Sequence, residues 1–370
     1  MTNNINVRPS QIFKFMVFVI VTARMIQFEN FKKLFICLLP YLILVLLNSY
    51  DLHVNTFDTF TLLMKPLSSF VFFLYFKYMA EKNVLYFEKK FWTVFILSFL
   101  FFIANIVLGL MGFGRHVYET GNDTTFGVKG YLYAQNEISG LIIYLYPAIL
   151  YYIRNNYSRI VYYLLIVLII FISFSIGTKT SLAIAILSGF VVTYYLGSKI
   201  EKITMVVGGV IVAIAGIVYL SYFMALEFDI IERFMYFYDQ HGFVEAITSG
   251  RFDYWEERSE QFFRMDFISN WLGWGNREDF VCEMDPFDAI LQFGYVGGII
   301  NSLFLLYLVM VPLCWRRKNR YAKIMMFCNI SLFFVSIFSG HIFFSSMAGL
   351  FVALANAQLY YDSKKIRNYA

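Results

Sequence analysis

Arg251, Trp255 and Arg258 stand at i, i+4 and i+7 in the run Ser249-Gly250-Arg251-Phe252-Asp253-Tyr254-Trp255-Glu256-Glu257-Arg258. On a helix that spacing puts two guanidinium groups and an indole on one face, and Ser249 is a fair N-cap for such a helix. Two planar donor forks beside an aromatic ring suit a diphosphate, with the ring against apolar or sugar surface. The competing reading is a surface helix whose arginines pair with Glu256, Glu257 and Glu260. Further on, Glu283, Asp285 and Asp288 crowd the mouth of an apolar run. Carboxylates packed together repel, which predicts that one of them holds its proton and serves as a base. They also read as metal ligands, or as solvated acids that end a loop.

Three smaller features carry charge or polarity into apolar surroundings. Lys179 lies in the turn Gly177-Thr178-Lys179-Thr180 between two apolar stretches, and a cation there must reach water or an anion. Asn136 and Glu137 open another apolar stretch, either as interior-facing functional groups or as plain helix-start residues. His341 opens the last one. No histidine pair has metal-ligand spacing, and Cys37, Cys282, Cys314 and Cys328 are scattered, so neither a disulfide framework nor a metal is expected. No cofactor is expected either.

The elements that must hold these residues are membrane helices. Of 370 residues, 59% are hydrophobic, 21% aromatic and only 15% charged, which excludes an ordinary soluble domain. The expected fold is an all-α polytopic membrane protein, because only internally satisfied backbone survives in lipid. Ten spans are expected near 34–50, 57–80, 91–113, 131–153, 159–176, 179–197, 203–223, 288–314, 321–339 and 341–360. Residues 12–28 are an eleventh span or an interfacial amphipathic helix. The whole chain, 1–370, reads as one integral membrane domain without a cleavable signal peptide. A polar loop at 224–287 interrupts it, and every basic residue of that loop is arginine.

The net charge of +5 is an orientation signal rather than a nucleic-acid one, since the cations sit in short connections. Lys32–Lys33, Lys82 with Lys89–Lys90, Arg154 with Arg159, Lys199 with Lys202, Arg316–Arg317–Lys318 with Arg320, and the tail cations all fall on one side. The positive-inside rule makes that side cytoplasmic. The 224–287 loop, Lys179 and His341 then face outward. A group transfer out there requires a donor already activated and delivered through the membrane, such as a lipid diphosphate.

Taken in order, the motifs resemble a known superfamily. They are Gly130-Tyr131 followed by Asn136-Glu137, then Gly177-Thr178-Lys179-Thr180 where the family usually has Gly-Ser-Arg-Thr. Ser249-Gly250-Arg251 with Trp255 follows in the loop. A Gly273-Trp274-Gly275 turn then leads to the acidic motif and a span with Gly294-x-x-Gly297. This series, from about residue 130 to 300, resembles the O-antigen polymerase and O-antigen ligase superfamily. The resemblance implies a membrane-embedded glycosyltransferase of the GT-C type in the bacterial cytoplasmic membrane. Its substrate would be an undecaprenyl-diphosphate-linked oligosaccharide, with a flippase and a chain-length regulator as partners.

Family ligases usually carry a histidine near Glu283, so the acidic residues here resemble the polymerase branch, whose product is an O-antigen or capsule. On that resemblance Arg251, Glu283 and Asp285 would be catalytic. Lys179, Arg258, Trp255, Asn136, Glu137, Asp288 and His341 would bind substrate. The alternatives are a polysaccharide ligase, a flippase or transporter, and a non-catalytic scaffold.

Overall fold

The computed structural model describes residues 9–27, 39, 56–82, 84–119, 125–132, 135–209, 238–239, 242–243, 250–273, 282–315, 319–340, 342 and 345–368. Its helices are α1 (Pro9–Gln27), α2 (Thr56–Lys82), α3 (Val84–Leu110), α4 (Gln135–Asn156), α5 (Arg159–Ile176), α6 (Lys179–Leu196), α7 (Arg251–Phe263), α8 (Phe267–Leu272), α9 (Asp285–Trp315), α10 (Arg320–Ser339) and α11 (Ser346–Asn368). A further helix is described over 199–209. The expected span at 34–50 apart from residue 39, most of the one at 203–223, and residues 224–237, 240–241, 244–249 and 274–281 of the polar loop lie outside the described residues.

Five described helices are long and apolar enough to cross a membrane: Phe87–Leu110, Arg159–Ile176, Lys179–Leu196, Asp285–Cys314 and Arg320–Phe338. The chain is a helical multi-pass membrane protein. α5 shows why. Tyr162, Ile166, Ile169, Ile172, Ser173 and Ile176 are buried at helical spacing. The opposite face presents Leu164, Val167, Phe171 and Phe174, all more than half exposed. A helix apolar on both faces is stable only where its outer face meets lipid. Both ends of α5 are capped locally, by the Ser158 hydroxyl and by Gly177, and Thr178 caps α6 at once. Two spans therefore form a tight hairpin.

α4 and α11, also expected as spans, are not among those five. They are the inner helices: residues 138–150 of α4 and 351–359 of α11 are all buried. Inner helices carry polar residues that find partners inside the bundle. Asn329 of α10 accepts from the Tyr144 hydroxyl (2.5 Å) and donates to the Leu308 carbonyl (2.6 Å) and to Asn356 Oδ1 (2.8 Å). That cluster joins α4, α9, α10 and α11. Asn329→Leu is expected to cost about 1–2 kcal/mol, the upper range for such bonds between membrane helices. It should lower the unfolding temperature in detergent, and an unchanged midpoint would show that the cluster adds nothing. Close approach does the rest. A Cβ on Gly349 of α11 would sit 2.1 Å from the Ser69 hydroxyl of α2.

One element was not expected from an all-α reading. Residues Arg115–Glu119 (β1) and Thr125–Gly130 (β2) pair antiparallel in the connection after α3. Asn105 holds this hairpin to the end of α3, donating to the Lys129 carbonyl (3.0 Å) and accepting from Tyr131 N (2.8 Å). Of the expected stretch 12–28, residues 12–27 lie in α1, whose apolar part, Phe15–Ile26, is shorter than a span.

Chain direction, with the hydrogen bonds between helix ends, sorts the termini onto two ends. The hairpin, the α5–α6 turn and the starts of α4, α9 and α11 share one end with the finish of α10. The α4–α5 turn and the start of α10 lie at the other.

Candidate functional site

α7 is amphipathic, and its buried face decides where Arg251 goes. Trp255 packs against Phe287 with ring centroids 4.5 Å apart and planes tilted by 50°, and Phe262 meets Tyr295 edge-on at 5.6 Å. With Cys282, Met284 and Leu291 these rings form a small core separate from the bundle interior. Ser249, expected as the N-cap, lies outside the described residues. Gly250 occupies the cap position and supplies no side-chain bond. The helix is therefore placed by packing more than by its cap.

α8 follows after Asp266, which caps it by accepting from Ile268 N (3.0 Å) and Ser269 N (3.1 Å). The Ser269 hydroxyl, together with those amides, holds the Asp266 carboxyl below the ordinary range. α8 ends on Gly273, whose backbone presses into a break in α9. Gly294 there is left-handed (φ 64), and a Cβ on it would lie 2.5 Å from Gly273 N. The expected Gly294-x-x-Gly297 element is thus the seat of the α8 turn within a discontinuous helix.

The segment before α9 holds the candidate residue Glu283. Glu283 has φ 58, the one positive-φ non-glycine among the described residues. Such a backbone persists only where its neighbours force it. Here Asp288 forces it from one side. Asp288 is fully buried, and its carboxylate accepts from Cys282 N (2.7 Å), Cys282 Sγ (3.1 Å) and Met284 N (3.2 Å). Gly340 closes in from the other side, so near that a Cβ on it would stand 1.8 Å from the Glu283 carbonyl oxygen.

Arg251 meets Glu283 across this arrangement. Its Nε (3.2 Å) and Nη2 (3.1 Å) donate to one carboxylate oxygen, Oε2, while Nη1 donates to the Phe338 carbonyl at the end of α10 (2.9 Å). The Arg251 side chain is 20% exposed and that of Glu283 is 52%. A pair so open to solvent is worth at most about 1 kcal/mol to the fold.

Asp285, 1% exposed, accepts from Ile342 N (2.9 Å). Glu137, in the first turn of α4, accepts from the Ser345 hydroxyl (2.9 Å), and that hydroxyl also caps α11 by accepting from Ala348 N (3.3 Å). Arg251, Glu283, Asp285 and Glu137 thus converge on the 338–345 connection between α10 and α11. His341 belongs to that connection by sequence but lies outside the described residues.

Other expected site residues stand elsewhere. The three carboxylates do not cluster on one another, since each accepts from a different donor: a guanidinium for Glu283 and backbone amides for Asp285 and Asp288. Trp255 is an anchor on Phe287, and Asp288 is a brace. Arg258 stacks over the Tyr254 ring at 4.8 Å, on the α7 face that carries Arg251. The expected pairing of loop arginines with the glutamates of their own helix occurs at Arg264–Glu260 (3.3 Å), a surface pair, whereas Arg251 crosses to Glu283. Lys179 is exposed in the first turn of α6, at the same end of the bundle. Asn136 lies in the first turn of α4, with its side chain outside the described ones.

Sequence reasoning missed Gly340, Phe338, Ile342 and Ser345. None carries a charge, and a glycine flanked by a histidine was the only signal.

Burial pushes the Cys282 thiol well up, and the Asp288 carboxylate adds to the effect. Cys282 is therefore a thiol at neutral pH and no nucleophile. Its alkylation by a maleimide should run at least about tenfold slower than that of an ordinary free cysteine. Trp255→Ala, which uncovers it, should raise the rate. Fast labelling at Cys282 itself, separated by peptide mapping from the exposed thiol Cys314, would overturn this burial.

Among the described residues no group of three or more histidine, cysteine, aspartate or glutamate side chains is placed to hold a metal ion. The chain matches no protein-family model, no curated protein and no solved structure.

Proposed function

We propose that this protein polymerises lipid-diphosphate-linked oligosaccharide repeat units into a surface polysaccharide at the outer face of the bacterial cytoplasmic membrane. The observation that carries the reading is the Arg251–Glu283 pair, a planar cation and a half-exposed carboxylate held together by a strained turn where several helices end. Stability alone gives little reason for such a pair, because open ion pairs contribute little to it. Strained backbone at a charged, accessible group is a mark of functional sites.

In the proposed reaction, a hydroxyl of the incoming lipid-linked unit attacks the anomeric carbon of the growing chain. The carbon–oxygen bond to the diphosphate breaks, and undecaprenyl diphosphate leaves with the bonding electrons. Arg251, supported by Arg258 and Lys179, receives the negative charge that develops on the leaving oxygen. Glu283 takes the proton of the attacking hydroxyl. Before substrate binds, Arg251 and Glu283 neutralise each other. An arriving diphosphate competes for the guanidinium and so releases the carboxylate to act as base. Asp285 and Glu137 hold the 338–345 connection in place. Diphosphate is a good leaving group, so positioning outweighs base strength. The chemistry requires no metal.

A deletion strain complemented with the wild-type gene or with Glu283→Ala tests the reading, by gel profiling of surface polysaccharide. Collapse of the ladder to one repeat unit in both the deletion and the variant is the expected result. Full-length polymer retained on the lipid carrier would mark a ligase instead. Repeat units stalled at the inner leaflet would mark a flippase. A normal ladder with Glu283→Ala would remove the residue from the mechanism.

A further inference from the structure

The opposite end of the bundle holds a second charged site. Where α4 finishes and α5 and α10 begin, a cleft of about 350 Å³ opens, lined by Arg154, Asn155, Tyr157, Ser158, Arg159 and Arg320. Three guanidinium groups from three helix termini face it, and no carboxylate is in its lining. Like charges gathered in this way repel unless an anion sits among them.

Glu201, just outside, supplies one negative charge. Both of its oxygens accept from Arg154 Nη2 (2.8 and 2.9 Å), Oε1 accepts from the Tyr163 hydroxyl (3.2 Å), and Oε2 accepts from Ser198 N (2.6 Å). Burial alone would raise its pKa, but the Ser198 bonds and Arg154 outweigh burial and leave it below the ordinary value. Glu201 is therefore ionised and spent on Arg154. Arg159 is 3.8 Å from the same carboxylate, with its side chain 70% exposed. Two further acids lie outside the lining, Asp362, which accepts from Asn319 (3.1 Å) and Gln358 (2.9 Å), and Glu88, which accepts from the Tyr361 hydroxyl (2.6 Å). The cleft wall itself thus carries three cations and no carboxylate, with Glu201 committed to Arg154 at its edge.

The surroundings are those of a membrane surface. Ile160 and Leu164, next along α5, are 73% and 65% exposed. An apolar strip thus descends from the charged cleft along a helix that faces lipid.

We propose that this cleft binds a phosphate group, carried by the headgroup of an anionic phospholipid whose acyl chains lie along the apolar strip of α5. Guanidinium forks match phosphate oxygens in pairs. Basic pockets between membrane helices at the cation-rich side take such headgroups. The site is separate from the Arg251 site and does not depend on the polymerase reading.

The test uses the full-length protein purified in detergent, with native mass spectrometry to count retained phosphatidylglycerol against phosphatidylcholine, and inorganic phosphate as a soluble competitor. The wild type should retain phosphatidylglycerol selectively. Arg159→Gln and Arg320→Gln should each weaken retention about fivefold, and together about 30-fold, at roughly one guanidinium's share apiece. Both arginines are exposed at helix starts, so the unfolding midpoint should stay put and report an intact fold. Binding of inorganic phosphate with the same sensitivity to the variants, and without lipid selectivity, would keep the phosphate site and assign it a soluble ligand. Equal retention of both lipids by wild type and double variant, with no phosphate binding, would overturn the proposal.

Discussion

Arg251→Lys is expected to stop polymer growth almost as completely as Arg251→Ala, although it keeps the charge. The guanidinium makes three bonds in two directions at once, two to Glu283 and one to the Phe338 carbonyl. A lysine ammonium is a compact point charge on a flexible stem, and it cannot reproduce a planar fork. In the proposed reaction the same fork meets the departing diphosphate. Loss of one donor aimed at developing negative charge costs about 2.7–4 kcal/mol, or about 10²- to 10³-fold in rate.

The loss must be separated from simple misplacement of α7, because Arg251 also ties that helix to α10. The packing of Trp255 and Phe262 should keep α7 seated without the arginine, so the unfolding midpoint should shift by no more than about 1 kcal/mol of stability. The ladder of repeat units from complemented cells, read beside that midpoint, decides the matter. Near-normal chain length with Arg251→Lys would remove the arginine from the reaction.

The second large effect is expected at a residue with no side chain. Gly340→Ala should abolish activity to a similar degree. Gly340 has φ +52, and an added Cβ would stand 1.8 Å from the Glu283 carbonyl oxygen and 2.1 Å from its carbon. Neither atom belongs to a flexible side chain, so backbone must move. The left-handed conformation alone costs an alanine about 1–2 kcal/mol, and the clash adds to that. The nearest relief is to push the 282–285 turn away from α10, which carries Glu283 off Arg251 and Asp285 off Ile342.

The damage should centre on the 282–285 turn, with Ile342 as the nearest residue of the main core. Gly208→Ala and Gly209→Ala serve as controls, since a Cβ at either position meets nothing within 4 Å among the described residues. The expected outcome is a collapsed ladder with Gly340→Ala and a normal one with either control, all at comparable protein levels. A normal ladder with Gly340→Ala would show that the Glu283 turn tolerates displacement and has no part in catalysis.

These two residues mark how far sequence reasoning reached. Composition and hydrophobic runs are additive along the chain. The membrane class, the span at 159–176 with both ends, and the start of its partner at 179 follow from local caps and apolar stretches. The candidate residues were legible as well, because charge in an apolar setting is conspicuous. Arg251, Glu283, Asp285 and Glu137 stand out in the chain and meet around one connection in the fold.

What each one does there was not legible. Asp285 finds its donor 57 residues away, Glu137 finds one 208 away, and Arg251 reaches the Phe338 carbonyl across 87. No periodicity encodes those distances. Three acids within six positions suggested mutual repulsion, whereas each turned to a different donor and Asp288 became a brace. The sequence by itself determined that this chain spans a membrane many times and which charged residues it cannot leave in lipid. Only the tertiary structure decided which of them meet, because a carboxylate's partner is set by where helix termini end in space. It also decided that a glycine at 340 must let the Glu283 turn pass, since close backbone approach leaves no trace in hydropathy or spacing.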